Sequence, residues 1–217
     1  MRLRPITESV PKPMVTIHGK PFLQHQLELI KSYGFTEILI LAGYLGKCIE
    51  AYFDDGAKFG LNVRYSYETI PLGTGGALKK AENKLEKEFL LLNGDTFLPI
   101  DYGKLTECFY QSGKTGLIVV YDNSKNIASN NIVLHKSRLV ADYNKKNTEG
   151  MTHIDAGVIV LKKEVLDSIP EVQKCSLEEE IFHKLIREEN LLAYPTDQCF
   201  YDIGSFIGLE AFKRVVK

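Results

Sequence analysis

The stretch from residue 36 to residue 95 constrains the fold most. TEILILA (Thr36 to Ala42) is a short apolar run rich in branched side chains and reads as a buried strand. GYLGKCIEAYFDDG then reads as a helix ending at Gly56, and LNVRYSYE (Leu61 to Glu68) alternates like a strand. GTGGALKKAENKLEKE begins on glycines and continues as a helix, and EFLLLNGD is another buried strand that ends in a turn. Strand, helix, strand, helix, strand predicts an α/β fold with a parallel sheet covered by helices. Right-handed crossovers place the loops after the strands along one edge, where α/β proteins bind ligands.

The flanks extend this pattern. In KPFLQHQLELIKSYG, Phe22, Leu23, Gln26, Leu27 and Ile30 recur at helical spacing, and Gly34 suits the C′ position. DYGKLTECFYQSG reads as a helix and TGLIVVYD as a strand. NNIVLH, RLVADY and DAGVIVL follow as short strands with no long helix between them, which predicts an antiparallel portion. SLEEEIFHKLIREEN is the clearest helix: Ser176 and Glu179 form a capping box, and Ile181, Phe182 and Leu185 give it an apolar face. LLAYPT and CFYDIG read as two last short strands and FIGLEAFKRVVK as a closing helix. The sequence has no repeat, low-complexity segment or linker, so residues 1–217 read as a single domain.

Composition narrows the function. A formal net charge of −1 argues against a general nucleic-acid binder, which would carry a basic excess. No apolar run approaches the roughly 20 residues of a membrane span, and no signal-peptide core follows the N-terminus. The four cysteines lie far apart without a C-x-x-C pair, which suits reduced thiols in a cytoplasmic protein and not zinc. His18, His25, His135, His153 and His183 show no metal-ligand spacing, and no G-x-S-x-G nucleophile motif occurs.

Three stretches carry candidate chemistry. PLGTGGAL (Pro71 to Leu78) has three glycines in four positions directly before a helix. Such glycines let a ligand approach the backbone, and a helix start offers free N–H groups; a tight strand-to-helix turn accounts for them equally well. The stretch is neither a P-loop nor a dinucleotide fingerprint. LLLNGDTF sets Asn93, Gly94 and Asp95 at the end of a buried strand, where a carboxylate can serve a hydroxyl, a ribose or a metal, or simply form an Asx turn. CFYDIGS repeats the theme with Asp202. Two such acids can converge on one Mg²⁺, because phosphates and water complete its octahedron. Lys145 and Lys146, in ADYNKKN, read on their own as a solvated turn.

RLRPITESVPKPM, KPFLQHQLELI, ETIPLGTGGAL, LLLNGDTF, HIDAGVIVL, SLEEEIF and FYDIGS together, in this order, resemble the sugar-1-phosphate nucleotidyltransferases over essentially the whole chain. The likeness is greatest to the short bacterial heptose-1-phosphate guanylyltransferases and their mannose-1-phosphate relatives. The resemblance implies a Rossmann-like, mostly parallel sheet with helices on both faces and a small antiparallel sugar-binding part. It implies an enzyme that forms an NDP-sugar and pyrophosphate from an NTP, GTP favoured, and a sugar 1-phosphate. Mg²⁺ as cofactor, a place in cell-surface polysaccharide biosynthesis, a cytoplasmic location and a capacity for homo-oligomers go with it. By resemblance, Asp95 and Asp202 hold Mg²⁺, and Arg2 and Lys12 contact the NTP phosphates. Leu72, Gly73, Thr74, Gly75 and Gly76 line the base and ribose, with Asn93 and Gly94 also at the nucleotide. Lys145 binds the sugar phosphate, and Asp155, Ala156 and Gly157 lie beside the sugar. The chemistry agrees: a phosphate is already an anionic nucleophile, so the work falls to Mg²⁺, Arg and Lys rather than to a strong base.

The chain departs from the family in three places. Asn144-Lys145-Lys146 stands where the family usually has Glu-Lys-Pro, and Asp155 where it often has Asn; both bear on the sugar more than on the reaction. The family also opens with a buried strand and Gly-Gly-x-Gly-Thr-Arg-Leu, and Met1 stands where that threonine would be. RLRPITESVPKPM therefore resembles the second half of a phosphate loop held extended by its prolines, with a loose basic tail as the plain alternative. The expectation is that the first strand and glycines are missing, which would weaken NTP binding and stability. A catalytically impaired homologue that binds sugar nucleotides or pairs with an active subunit is a second reading. A cytidylyltransferase for phosphocholine or a similar phosphate is a third. Retention of Lys12, Asp95, Lys145 and Asp202 favours the enzyme.

Overall fold

The computed structural model describes residues 10–124, 127–171 and 173–216. A hairpin of β1 (Thr16–Ile17) and β2 (Lys20–Pro21) leads into α1 (Phe22–Ser32), β3 (Glu37–Ala42), α2 (Gly46–Phe53) and β4 (Asn62–Tyr67). Next come α3 (Gly73–Lys80), β5 (Glu88–Leu92), β6 (Thr96–Phe97), α4 (Tyr102–Ser112) and β7 (Gly116–Asp122). β8 (Ile132–Leu134), β9 (Val140–Tyr143) and the long β10 (His153–Lys162) follow. A π-helical turn, Leu177–Phe182, runs into α5 (His183–Arg187), and β11 (Leu191–Thr196), β12 (Tyr201–Asp202) and α6 (Phe206–Lys213) close the chain. These elements gather into two compact units, one of Met1–Ile70, Asn93–Pro99 and Phe200–Lys217, the other of Pro71–Leu92 and Ile100–Cys199.

In the first unit, β3 and β4 pair in parallel from Glu37 opposite Asn62 to Ala42 opposite Tyr67, with α2 as the crossover that the alternation predicts. β12 pairs antiparallel with β6, Tyr201 opposite Phe97 and Asp202 opposite Thr96. The core beneath them is Val15, Ile17, Phe22, Phe97, Ile203, Leu209 and Phe212. Phe212 of α6 is its centre, with the rings of Phe22 and Phe97 each 4.9 Å away and the His25 ring at 5.7 Å. The predicted stripe of α1 is buried, Gln26 included. An amide at such a position costs free energy unless it is hydrogen-bonded.

The second unit holds a six-stranded mixed sheet. β10 is its hub, antiparallel to β7, to β5 (Val158 opposite Leu92) and, at His153, to β8, which in turn pairs with β9. β11 lies parallel to β7. The α/β class stands, and the antiparallel share exceeds the sequence expectation because β5 joins β10. β10 breaks register with β7 between Asp155 and Ile159, and Gly157 makes the kink with φ at +73°, a conformation that side chains resist.

The glycines of α3 serve close packing inside this unit. A Cβ on Gly76 would lie 2.6 Å from the Gln173 carbonyl, and one on Gly75 would lie 2.9 Å from Cys175 Sγ. The N–H groups of Gly75 and Gly76 donate to the Cys175 carbonyl at 3.0 and 3.2 Å, and the Cys175 N–H donates to Leu72 O at 2.9 Å. Two of the donors expected to be free at this helix start are thus taken by the chain's own backbone. Ser176 caps the next helical segment as predicted, its Oγ accepting from the Glu179 N–H at 3.0 Å. The acid that reaches back to the Ser176 N–H is Glu180, at 2.8 Å, and not Glu179. The wider π turn moves the returning carboxylate one residue along.

Two stability outcomes follow from this packing. Phe212→Ala should cost about 3–5 kcal/mol in denaturant unfolding, as for a large ring removed from a core. Gly76→Ala should lower the melting temperature, although helix propensity alone favours Ala by about 1 kcal/mol, because the new Cβ meets a backbone carbonyl. A melting temperature at or above that of the parent would show that Gly76 is there only for the turn.

Candidate active site

The first unit brings five of the sequence-predicted residues together: Lys12, Asn93, Gly94, Asp95 and Asp202. The Asn93-Gly94-Asp95 turn closes with the Thr96 N–H donating to Asn93 O at 3.2 Å and leads straight into β6. Thr96 pairs with Asp202, and the Ile203 N–H donates to Asp95 O at 3.0 Å. Asp95 and Asp202 therefore flank one two-residue strand pair although they lie in distant parts of the sequence. Asp202 Oδ1 accepts from the Gly204 N–H at 2.6 Å, which fixes the carboxylate in an Asx turn. The Asx reading and the rim position coexist here. Lys12 opens a 3₁₀ turn between Pro11 and Pro13, and its Nζ lies 3.3 Å from Asp95 Oδ2. Lys12 is 44% and Asp95 35% exposed, so the pair adds only about 0–1 kcal/mol of stability. Arg2 lies outside the described residues.

The donor set at this rim is two partly exposed aspartates on paired strand ends. Among the described residues, no group of three His, Cys, Asp or Glu gathers as a metal cage. Hard oxygen donors few in number fit Mg²⁺, which takes its remaining ligands from phosphate and water, and they do not fit zinc, which favours nitrogen and sulfur.

The second unit sets two other predicted residues, Thr74 and Lys145, against an acid that the sequence reading missed. Glu178 Oε2 accepts from Thr74 Oγ1 at 2.6 Å and from Ser176 Oγ at 3.1 Å, and Oε1 lies 3.3 Å from Lys145 Nζ. Burial works against its charge, but the Thr74 hydrogen bond, with Lys145 and Ser176 behind it, holds Glu178 below the usual carboxylate range. Thr74 Oγ1 also accepts from the Leu177 N–H at 2.9 Å, so the glycine segment and the π turn are stitched side chain to backbone. The signal for Glu178 was present only as one of three successive acids in SLEEEIF. Lys145 also stands 5.7 Å from the centre of the Tyr143 ring, and Lys146 pairs with Glu179 at 3.2 Å.

Tyr143 continues this chain of contacts to Asp155. Its hydroxyl donates to Asp155 Oδ2 at 2.9 Å, and the Gly157 N–H donates to Oδ1 at 2.8 Å. Burial pushes the Asp155 carboxyl up from its ordinary pKa, against the pull of Gly157, Tyr143 and Lys145. Asp155 is accordingly an acid with both oxygens engaged inside its own unit, not an open anion. Ala156 is fully buried beside it and Leu72 is buried at the start of α3. Cys175, behind the glycines, is pushed up to about 11 by burial, with Glu180 adding to the shift, so its thiol is not poised as a nucleophile. Among the described residues, no helix is long and apolar enough to cross a membrane.

Comparison with known proteins places the chain in a family. Mannose-1-phosphate guanyltransferase 2 of Candida glabrata is 33% identical over 210 residues, covering 94% of this chain and 58% of that protein. The chain thus spans a little under three-fifths of the fungal relative. The D-glycero-alpha-D-manno-heptose 1-phosphate guanylyltransferase of Aneurinibacillus thermoaerophilus is 31% identical over 205 residues, covering 94% of this chain and 88% of that protein. The crystal structure of HddC from Yersinia pseudotuberculosis superposes with a TM-score of 0.84 at 26% identity over 100% of this chain and 95% of that one. HddC has also been solved complexed with GMP-PN, at a TM-score of 0.82. The model of the nucleotidyl transferase family matches residues 1–215, and the chain belongs to that family.

Proposed function

We propose that the chain transfers a nucleotidyl group, guanylyl by preference, from an NTP to a sugar 1-phosphate, giving an NDP-sugar and pyrophosphate. The observation that carries the reading is the pairing of β12 with β6, which sets Asp202 opposite Thr96, the residue after Asp95, while Lys12 lies 3.3 Å from Asp95. The names of the two relatives, a mannose- and a heptose-1-phosphate guanylyltransferase, support a hexose or heptose 1-phosphate and GTP. The GMP-PN complex of HddC supports the same base. Such an enzyme works in the cytoplasm, on the supply side of cell-surface polysaccharide.

In the reaction, an oxygen of the sugar phosphate forms a bond to the α-phosphorus of the NTP. The bond from that phosphorus to the oxygen bridging to the β-phosphate breaks, and its electron pair leaves with pyrophosphate. The nucleophile is already an anion, so no side chain has to remove a proton. What opposes the step is the approach of two anions and the charge on the transferring group. Lys12 moves from Asp95 to the NTP phosphates, and Lys145 exchanges its partner Glu178 for the sugar phosphate. Asp95 and Asp202 would hold Mg²⁺, which when bound would supply charge neutralisation at the phosphates. The Gly75 and Gly76 N–H groups already serve Cys175, so in the second unit nucleotide contact falls to the remaining surface of Leu72 to Gly76; in the first unit the nucleotide candidates are Asn93 and Gly94. The engaged Asp155 and the neighbouring Ala156 and Gly157 shape the sugar end.

Pyrophosphate release from each NTP with a panel of sugar 1-phosphates tests the reading. Turnover is expected with GTP and a manno-configured sugar 1-phosphate, and EDTA should abolish it. Asp95→Asn and Asp202→Asn should each lower kcat about 100-fold or more with the fold intact. Lys145→Ala should raise KM for the sugar phosphate about tenfold, the value of a charged hydrogen bond, and leave KM for GTP nearly unchanged. Binding of GTP without pyrophosphate release from any pair would instead favour a non-catalytic sugar-nucleotide-binding homologue.

A further inference from the structure

The Asp95 turn is held from behind by one buried amide. Gln26 sits on the apolar stripe of α1 and is 3% exposed. Its Nε2 donates to Asn93 O at 2.9 Å and to Thr96 O at 2.7 Å. Those two carbonyls bracket Gly94 and Asp95, so both hydrogens of a single amide clamp the turn on either side of the acid. A primary amide is suited to this, having two divergent donors on one planar group. A leucine here would satisfy the helix pattern equally well and would leave both carbonyls without that partner. The remaining backbone ties of the turn are the Thr96 N–H to Asn93 O and the Ile203 N–H to Asp95 O. With Gln26 they fix the turn on three sides: by its own closure, by β12 and by α1. The exposed face is left to Asp95 and Lys12.

We infer that Gln26 is a positioning residue for Asp95, setting the turn so that the carboxylate meets a divalent cation together with Asp202. The inference rests on the proposed metal role of Asp95 and Asp202. Gln26 itself touches neither substrate nor cation: it acts through the backbone of residues 93–96. A purely structural amide would affect melting and nothing else. A positioning amide affects cation affinity in a protein that is still folded.

Mn²⁺ binding to the chain without nucleotide, read by loss of the free-ion electron paramagnetic resonance signal, separates these roles. The variants are Gln26→Met, which keeps length and burial but removes both donors, and Asp95→Asn. Melting curves run in parallel show that each is folded. The parent should bind Mn²⁺, Asp95→Asn should bind it at least tenfold more weakly, and Gln26→Met at least fivefold more weakly with a cooperative melt. Gln26→Asn, with the same donors on a shorter stem, should fall between Gln26→Met and the parent, and it carries the test if the Met variant does not fold. Parent-like affinity in a folded Gln26 variant, with Asp95→Asn impaired, would overturn the positioning role and leave the metal reading standing. Parent-like affinity in Asp95→Asn would overturn the metal reading and the inference with it.

Discussion

The antiparallel pairing of β6 with β12 is the constraint on which the functional reading depends. It is only two residues long on each side, too short to be stable by itself. It persists because its surroundings hold it: Phe97 and Ile203 bury their side chains in the Phe212 cluster. The Ile203 N–H reaches Asp95 O, and Gln26 holds the turn from α1. A hydrophobic cluster formed by α1, β6 and α6 thereby fixes the position of two surface carboxylates. The link between core and chemistry is direct, since loosening Phe212 would loosen the strands that carry Asp95 and Asp202.

The second unit follows a different logic. Its binding residues are not anchored by short strands but by a polar chain running from Thr74 through Glu178 to Lys145, and from Tyr143 to Asp155. The charges in it are compensated within the unit. On the role proposed for Lys145, an arriving phosphate would meet a lysine already oriented by Glu178, so less side-chain freedom would be lost on binding. The cost is competition, because the phosphate must outbid a carboxylate for the same ammonium. The acid that the family usually carries beside this lysine is Asn144 here, and Glu178 supplies a carboxylate next to Lys145 from another segment.

Much of this was legible in the sequence. The parallel β3–α2–β4 unit shows in its period, and the apolar stripe of α1 includes Gln26 at a buried position. Asp95 and Asp202 each announce themselves as acids in a glycine turn after a short strand. What periodicity could not give were the long-range contacts. Nothing local in LLLNGDTF or CFYDIGS says that Thr96 faces Asp202. Gln26 counted only as a helix position, because its role depends on carbonyls some 70 residues away. The glycines of PLGTGGAL suggested a ligand, yet three of them pack against or bond to the segment around Cys175. The cap at Ser176 was readable, but its acid shifted by one residue because a π turn replaced the expected α turn.

In the proposed reaction Asp95 and Asp202 act as one unit on one cation. A double-mutant cycle measures this most directly, with kcat/KM for pyrophosphate release followed in the parent, in Asp95→Asn, in Asp202→Asn and in the pair. Residues that act as a unit are strongly non-additive. The double variant should fall to within about threefold of the worse single variant, since the first substitution already disables the site. Losses that multiply, so that the double variant is lower than either single by the full factor of the other, would contradict it and show two acids working separately.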